Sequence, residues 1–147
     1  MRFSLIIVTR KRVGFLKNLI KTIYETTTTK SEVEVHITYD DDDKVTEGIA
    51  RGIIEKYPDL KIEFHPTKRS EWMIRDYVNW TLNNFCKGKY ILNLNDDVVF
   101  VKKNWDELAW VKLEDYLKDK PDGVVYGLVE DNEMDKINHP PYEDFSC

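Results

Sequence analysis

Two hydrophobic periods take turns along the chain. Leu5–Val8 is an unbroken apolar run inside Phe3–Thr9, the pattern of a strand buried on both faces. Val13–Tyr24 follows with Leu16, Leu19, Ile20 and Ile23 at helical spacing, and the Thr26–Thr29 run ends that helix because β-branched residues propagate helices poorly. Glu32–Tyr39 returns to a period of two, with Val33, Val35, Ile37 and Tyr39 on one side. Val45–Tyr57 is helical, with Val45, Ile49 and Ile53 in register and Asp43 as its N-cap. Pro58 stops it by biasing Tyr57 out of the α region. Lys61–His65 is a short strand. Ser70 caps a third helix, with Ile74, Tyr77, Val78, Thr81 and Phe85 on the apolar side and Arg75, Asn79 and Asn83 opposite. Lys87-Gly88-Lys89 is a helix stop, and Tyr90–Leu94 is a fourth strand. Asn104 or Asp106 caps a fourth helix with Trp105, Leu108, Ala109, Leu113, Tyr116 and Leu117 as its stripe. Asp119–Gly123 is a turn, Val124–Val129 a fifth strand, and Asn132–Cys147 an irregular tail.

Strands that alternate with helices predict an α/β fold: a mostly parallel, twisted sheet with helices on both faces, Rossmann-like in layout. The 147 residues suit a single domain over 1–147, with a core over 1–130 and a tail over 131–147. The first apolar run is too short for a signal-peptide core or a membrane span. Cys86 and Cys147 form neither a CxxC pair nor a metal-ligand spacing, which points to a reduced, cytoplasmic setting. A net charge of -5 speaks against nucleic acid as the partner.

In an open parallel sheet, ligands bind beyond the C-terminal ends of the strands. What the chain puts there is charged. Thr9-Arg10-Lys11-Arg12 follows the first strand and Asp40–Asp43 the second. Lys68-Arg69 follows the third, and Asn95-Asp96-Asp97 the fourth. Two adjacent carboxylates at about 4 Å repel by roughly 4 kcal/mol near a protein surface, so their place on the rim asks for a cation. Guanidinium groups can hold phosphate oxygens bidentately, carboxylates a hard divalent ion, and a further acid a ribose or base. A nucleoside diphosphate with Mn²⁺ or Mg²⁺ satisfies this mixture. GxGxxG and GxxxxGKS/T are both missing after the first strand, which sets aside dinucleotide and P-loop sites. A phosphoacceptor receiver domain would carry its acid pair after the first strand, where this chain has TRKR.

Four stretches in order carry a family resemblance: SLIIVTRKR, HITYDDDD, TKRSEWMIRDYVNW and GKYILNLNDDV. The chain resembles the nucleotide-binding half of a GT-A glycosyltransferase of the inverting family 2 type, over about residues 3–130. The resemblance implies a GT-A nucleotide-binding core and transfer of a sugar from a nucleotide-sugar donor, UDP-linked by preference, to an unknown acceptor. It implies nucleotide contacts at Thr9, Arg10, Arg12, Asp40 or Asp41, Arg69, Arg75 and Asp96. Asn95-Asp96-Asp97 stands for the family's Asp-x-Asp motif. Asn95 replaces its first acid, so Asp97 is the main Mn²⁺ or Mg²⁺ ligand and Asp96 the second. The general base that an inverting transfer needs falls to Glu143 or Asp144, the late acid pair.

Bland readings stand beside these. Acid runs after strands also serve as solvated turns and helix caps, RKR as a surface cluster, and Arg75 as a partner of Asp76 or Glu71. His36 and His65 read as structural, and Trp72, at a helix start, as core or as a sugar platform. His139 is a candidate late metal ligand, as in some retaining GT-A enzymes. The alternative to an enzyme is a non-catalytic or truncated GT-A-like module that binds a nucleotide without turnover. A sugar-nucleotide-forming nucleotidyltransferase would need a Gly-rich loop where TRKRVG stands.

Overall fold

The structure, a computed structural model, describes residues 1–118. Its elements are β1 (Phe3–Thr9), α1 (Val13–Thr26), β2 (Val33–Asp40), α2 (Lys44–Lys56), β3 (Lys61–Thr67), α3 (Asn79–Asn84), β4 (Tyr90–Asn95) and α4 (Trp105–Leu117). A π-helical stretch, Ile74–Val78, runs directly into α3. The strands form one parallel sheet in the order β3-β2-β1-β4. β1 pairs with β2 from Phe3–Val33 to Thr9–Tyr39, and with β4 from Phe3–Tyr90 to Val8–Asn95. The chain thus builds outward from β1 to β3 and then returns to the other side of β1. That reversal makes a switch point between β1 and β4.

The two faces of the sheet differ. One carries Phe3, Leu5 and Ile7 of β1 and Val33, Val35 and Ile37 of β2, all fully buried. The stripe Leu16, Leu19, Ile20 and Ile23 of α1 is equally buried, each side chain contributing about 1.5–3 kcal/mol. Trp105, at the start of α4, sits 5.3 Å from the ring of Phe3. The other face is polar at Ser4, Glu34, His36 and Thr38, all buried. The segment 74–84 and Phe85 cover it. Thr38 and Thr81 share a 2.5 Å hydroxyl bond, and His65 stacks on Phe85 at 3.9 Å.

Glu34 shows how that polar face is satisfied. Its carboxylate accepts from Ser4 Oγ at 2.5 Å, from the Lys87 N–H at 2.6 Å and from Lys61 Nζ at 2.8 Å. Burial pushes its pKa up, but these donors outweigh burial and hold it at about 2. Gly88 closes the same corner. Its N–H donates to Ser4 Oγ at 2.7 Å, and a Cβ there would lie 2.4 Å from the Ser4 nitrogen.

Several expectations need correction. Val45 is exposed, and α2 buries Thr46 beside the expected Ile53. Ile74 is also exposed, because the π stretch shifts the register in which the third helix meets the sheet. Leu108 of the α4 stripe is exposed too, while Asp106 is buried and accepts from the N–H groups of Thr28 and Thr29 at 2.9 and 2.7 Å. A polar residue is the inward one because it satisfies the turn that leaves α1. Among the described residues no helix is long and apolar enough to cross a membrane. Residues 1–112 form one compact unit. The expected fifth strand lies outside the described residues.

Candidate active site

The carboxyl ends of β1, β2 and β4 open into a cleft of ≈ 550 Å³, within the usual range for a small-molecule site. Parallel pairing brings Thr9, Asp40 and Asp96 to this rim, because each sits at or next to the last residue of its strand. The loop after β1 adds Arg10 and Arg12, and the segment before the π stretch adds Arg69, Ser70, Glu71 and Met73.

Asp96 is nearly buried and fully engaged. Thr9 Oγ1 donates to its Oδ2 at 2.7 Å, and Arg12 Nη1 pairs with its Oδ1 at 2.7 Å. The second nitrogen of Arg12 reaches Asp97 Oδ2 at 3.0 Å. Arg12 therefore bridges the acid pair: the positive charge that the two carboxylates require is supplied from within the chain. The same guanidinium lies 4.5 Å from the Phe15 ring centroid. Asp97, with about half its side chain exposed, faces outward.

Asp40 makes the second charged node. Its side chain is only 5% exposed, and it pairs with Arg10 Nη1 at 3.1 Å. The Tyr77 hydroxyl donates to its other oxygen and accepts from the Ser70 N–H at 2.9 Å. Burial and the bond to Asp40 both push the Tyr77 phenol up, so it stays protonated and donating at neutral pH. Asp43 then anchors the loop. It caps α2 through the Thr46 N–H and hydroxyl, at 3.1 and 2.6 Å, and also accepts from the Lys11 N–H at 2.6 Å. Burial pushes the Asp43 carboxyl up, but those donors bring it below its ordinary value. Lys11 is held at φ 56, in the left-handed region that a residue with a side chain rarely adopts.

The sequence-predicted residues divide clearly. Thr9, Arg10, Arg12, Asp40, Arg69, Asp96 and Asp97 line one cleft. Asp41 does not line it; its side chain is exposed and its N–H donates to the Thr67 carbonyl at 2.8 Å. Arg75 also stands outside. It forms a two-pronged bond to Asp76, at 2.6 and 2.8 Å, and lies over the exposed Trp72 ring. Glu143, Asp144 and His139 lie outside the described residues. Asp43 caps α2 as expected, but its bond to the Lys11 N–H and the role of Tyr77 were missed: the Tyr side chain matched the apolar stripe, and only its hydroxyl on a helix that faces a strand end could have signalled the role. A neighbouring groove of ≈ 620 Å³ around Val13, Phe15 and Val45 contains no carboxylate and offers no such chemistry.

The donor set fits a hard divalent ion. Asp96, Asp97 and the neighbouring Asn95 supply oxygens and no sulfur or imidazole, the set that Mg²⁺ and Mn²⁺ prefer. A cation, Arg12, already spans the pair.

No protein-family profile matches the chain. No curated protein matches it either. Solved structures do. The mannosyltransferase PcManGT from Pyrobaculum calidifontis, in complex with GDP-Man and Mn²⁺, superposes with a TM-score of 0.66 at 22% identity over 81% of this chain and 33% of that one. TarS 1–349 of S. aureus superposes with a TM-score of 0.63 at 20% identity over 79% of this chain and 33% of that one. The fold is that of a GT-A glycosyltransferase. TarS 1–349 is also known in complex with UDP-GlcNAc, and that structure matches equally, with a TM-score of 0.63 at 20% identity over 79% of this chain and 32% of that one. The GT-A core described here spans about one third of the length of these structures.

Proposed function

We propose that this chain is the donor-binding part of a glycosyltransferase that transfers a sugar from a nucleotide-diphosphate sugar, UDP-linked by preference, to an acceptor hydroxyl with a divalent metal. The observation that carries this reading is the meeting of Asp40, Asp96 and Asp97 with Arg10 and Arg12 in one cleft at the β1/β4 switch point. Asp40, steadied by Tyr77, accepts from the base or ribose. Arg10, Arg12 and Arg69 donate to phosphate oxygens, since a guanidinium offers planar, paired donors. Asp97, with Asp96 behind it, holds Mn²⁺ or Mg²⁺. When bound, such an ion stabilises negative charge on the departing diphosphate as a Lewis acid. Arg12 has to leave at least one carboxylate for that ion to enter, and the phosphates offer it a new partner. Glu143 or Asp144 is assigned as the base that takes the acceptor proton.

The test is a thermal-shift and calorimetric screen of UDP- and GDP-sugars with and without Mn²⁺, on the wild type and Asp97→Ala. A ligand at about 100 times its dissociation constant adds about 2.7 kcal/mol, so binding is plainly visible. Metal-dependent stabilisation in the wild type and its loss in Asp97→Ala, with the fold intact, is the expected result. Equal responses from both proteins would remove Asp97 from the site. Binding with no sugar released over long incubation would assign the chain to the non-catalytic module.

A further inference from the structure

We propose that His36, Glu63 and His65 form a second metal site, a two-histidine, one-carboxylate set for a zinc-class ion, on the polar face of the sheet between β2 and β3. Three donor atoms converge there. His36 Nδ1 and His65 Nε2 are 3.0 Å apart, and Glu63 Oε2 lies 3.7 and 3.8 Å from them. Two atoms that each bind tetrahedral Zn²⁺ at about 2.05 Å stand about 3.3 Å apart, so this triangle brackets the required spacing with only small side-chain adjustments. The set matches the three-protein-ligand pattern that leaves a fourth position for water.

The surroundings suit ligation. His36 is fully buried, and its outer nitrogen, Nε2, has no hydrogen-bond partner among the described residues. That nitrogen faces Glu34 Oε1 at 3.3 Å. A small closure lets the Nε2–H donate to the Glu34 carboxyl group and leaves the Nδ1 lone pair pointing into the triangle. This is the carboxylate–histidine–metal relay that orients ligating imidazoles. His65 supplies the second imidazole nitrogen, Nε2, 3.0 Å from His36 Nδ1. Its ring is fixed by stacking on Phe85 and by an edge contact with Trp80. β3 is an edge strand and the Glu63 side chain is 40% exposed, which supplies an entry path. Lys61 is the opposing charge: its Nζ lies 3.2 Å from Glu63 Oε1 and 2.8 Å from Glu34 Oε2, and it has to keep to Glu34 when Glu63 turns to the ion. The nitrogen-rich set prefers zinc, whereas the cleft offers oxygen alone.

The experiment is a Co²⁺ and Zn²⁺ titration of the full chain at pH 7. Wild type and Asp97→Asn are both expected to give the intense visible absorption of four-coordinate Co²⁺, displaced by stoichiometric Zn²⁺. Glu63→Gln should weaken Zn²⁺ by more than about 10-fold, the least that even an outer partner of a zinc ligand costs, and His65→Gln should abolish the spectrum. Glu63 is partly exposed, so its variant decides the matter should His65→Gln not fold. Only the faint spectrum of six-coordinate Co²⁺, or Zn²⁺ affinity unchanged in Glu63→Gln, would overturn the proposal and leave a plain histidine pair within the core. Because Asp97→Asn spares this site, its outcome is independent of the cleft.

Discussion

Replacing Arg12 by alanine separates the two cations that the acid pair can use. Arg12 is 44% exposed at its side chain and Asp96 only 4%. Its bond to Asp97 is an exposed ion pair, worth at most about 1 kcal/mol. Its bond to Asp96 joins a nearly buried carboxylate that, among the described residues, keeps only Thr9 once the guanidinium is gone, and hydrogen bonds to charged groups contribute about 1.5–3 kcal/mol. Arg12→Ala should therefore cost about 2–3 kcal/mol without metal. For a chain of this size that lowers Tm by about 4–12 °C. The same change removes the internal competitor for the metal. Mn²⁺ alone should bind Arg12→Ala more tightly, by up to about 30-fold if 2 kcal/mol of the lost pairing is recovered. With UDP present the sign should reverse, because the proposed contact of Arg12 with the phosphates is then lost. Calorimetry of Mn²⁺, with and without UDP, on wild type, Arg12→Ala and Arg12→Lys reads all three quantities. If Arg12→Ala is as stable as the wild type, or binds Mn²⁺ alone more weakly, Arg12 is not the stand-in cation.

Other outcomes follow from the same structure. Tyr77→Phe removes the donor to Asp40 and the acceptor of the Ser70 N–H, so it should lose about 1–3 kcal/mol of stability in urea melts and weaken UDP binding more than Mn²⁺ binding. Acid should destabilise the chain in two windows. His65, depressed to about 4, loses its contribution as pH falls from 6.5 towards 4. Glu34, depressed to about 2, loses its contribution as pH falls from 4.5 towards 2. Urea midpoints across that range should show both limbs, and Glu34→Gln should flatten only the lower one. Gly88→Ala sets a Cβ against the backbone of Phe3 and Ser4, which cannot yield as a flexible side chain does. A loss of about 1–3 kcal/mol is expected, and an unchanged Tm would show that the corner is looser than drawn.

The sheet was legible because its strands are written in nearly unambiguous runs. Phe3–Thr9 appears as expected, Glu32–Tyr39 is shifted by one residue at both ends, Tyr90–Leu94 extends by one residue and Lys61–His65 by two. The rim was legible for the same reason: once strand ends are known, parallel pairing forces Thr9, Asp40 and Asp96 together. What the sequence did not disclose are choices made by packing. Val45, Ile74 and Leu108 fit a helical stripe yet face solvent, because a 3.6-residue period names a face and not its partner. Asp40 and Asp41 are indistinguishable in a run of four acids; the pleat turns one into the cleft and the next away. Nor could adjacency along the chain show that Arg12 would span Asp96 and Asp97, a contact 85 residues long to Asp97.

The bond between Thr9 and Asp96 joins residues 87 positions apart. At synthesis rates of about 5–20 residues per second, that gap is about 4–17 s. Throughout that interval β1, though it is the centre of the finished sheet, has one open flank of unpaired amides and carbonyls. The nascent chain thus carries a temporary adhesive edge where the mature protein has its binding cleft. Any partner strand that reaches it before β4 does would produce a misassembled protein in which that cleft never forms.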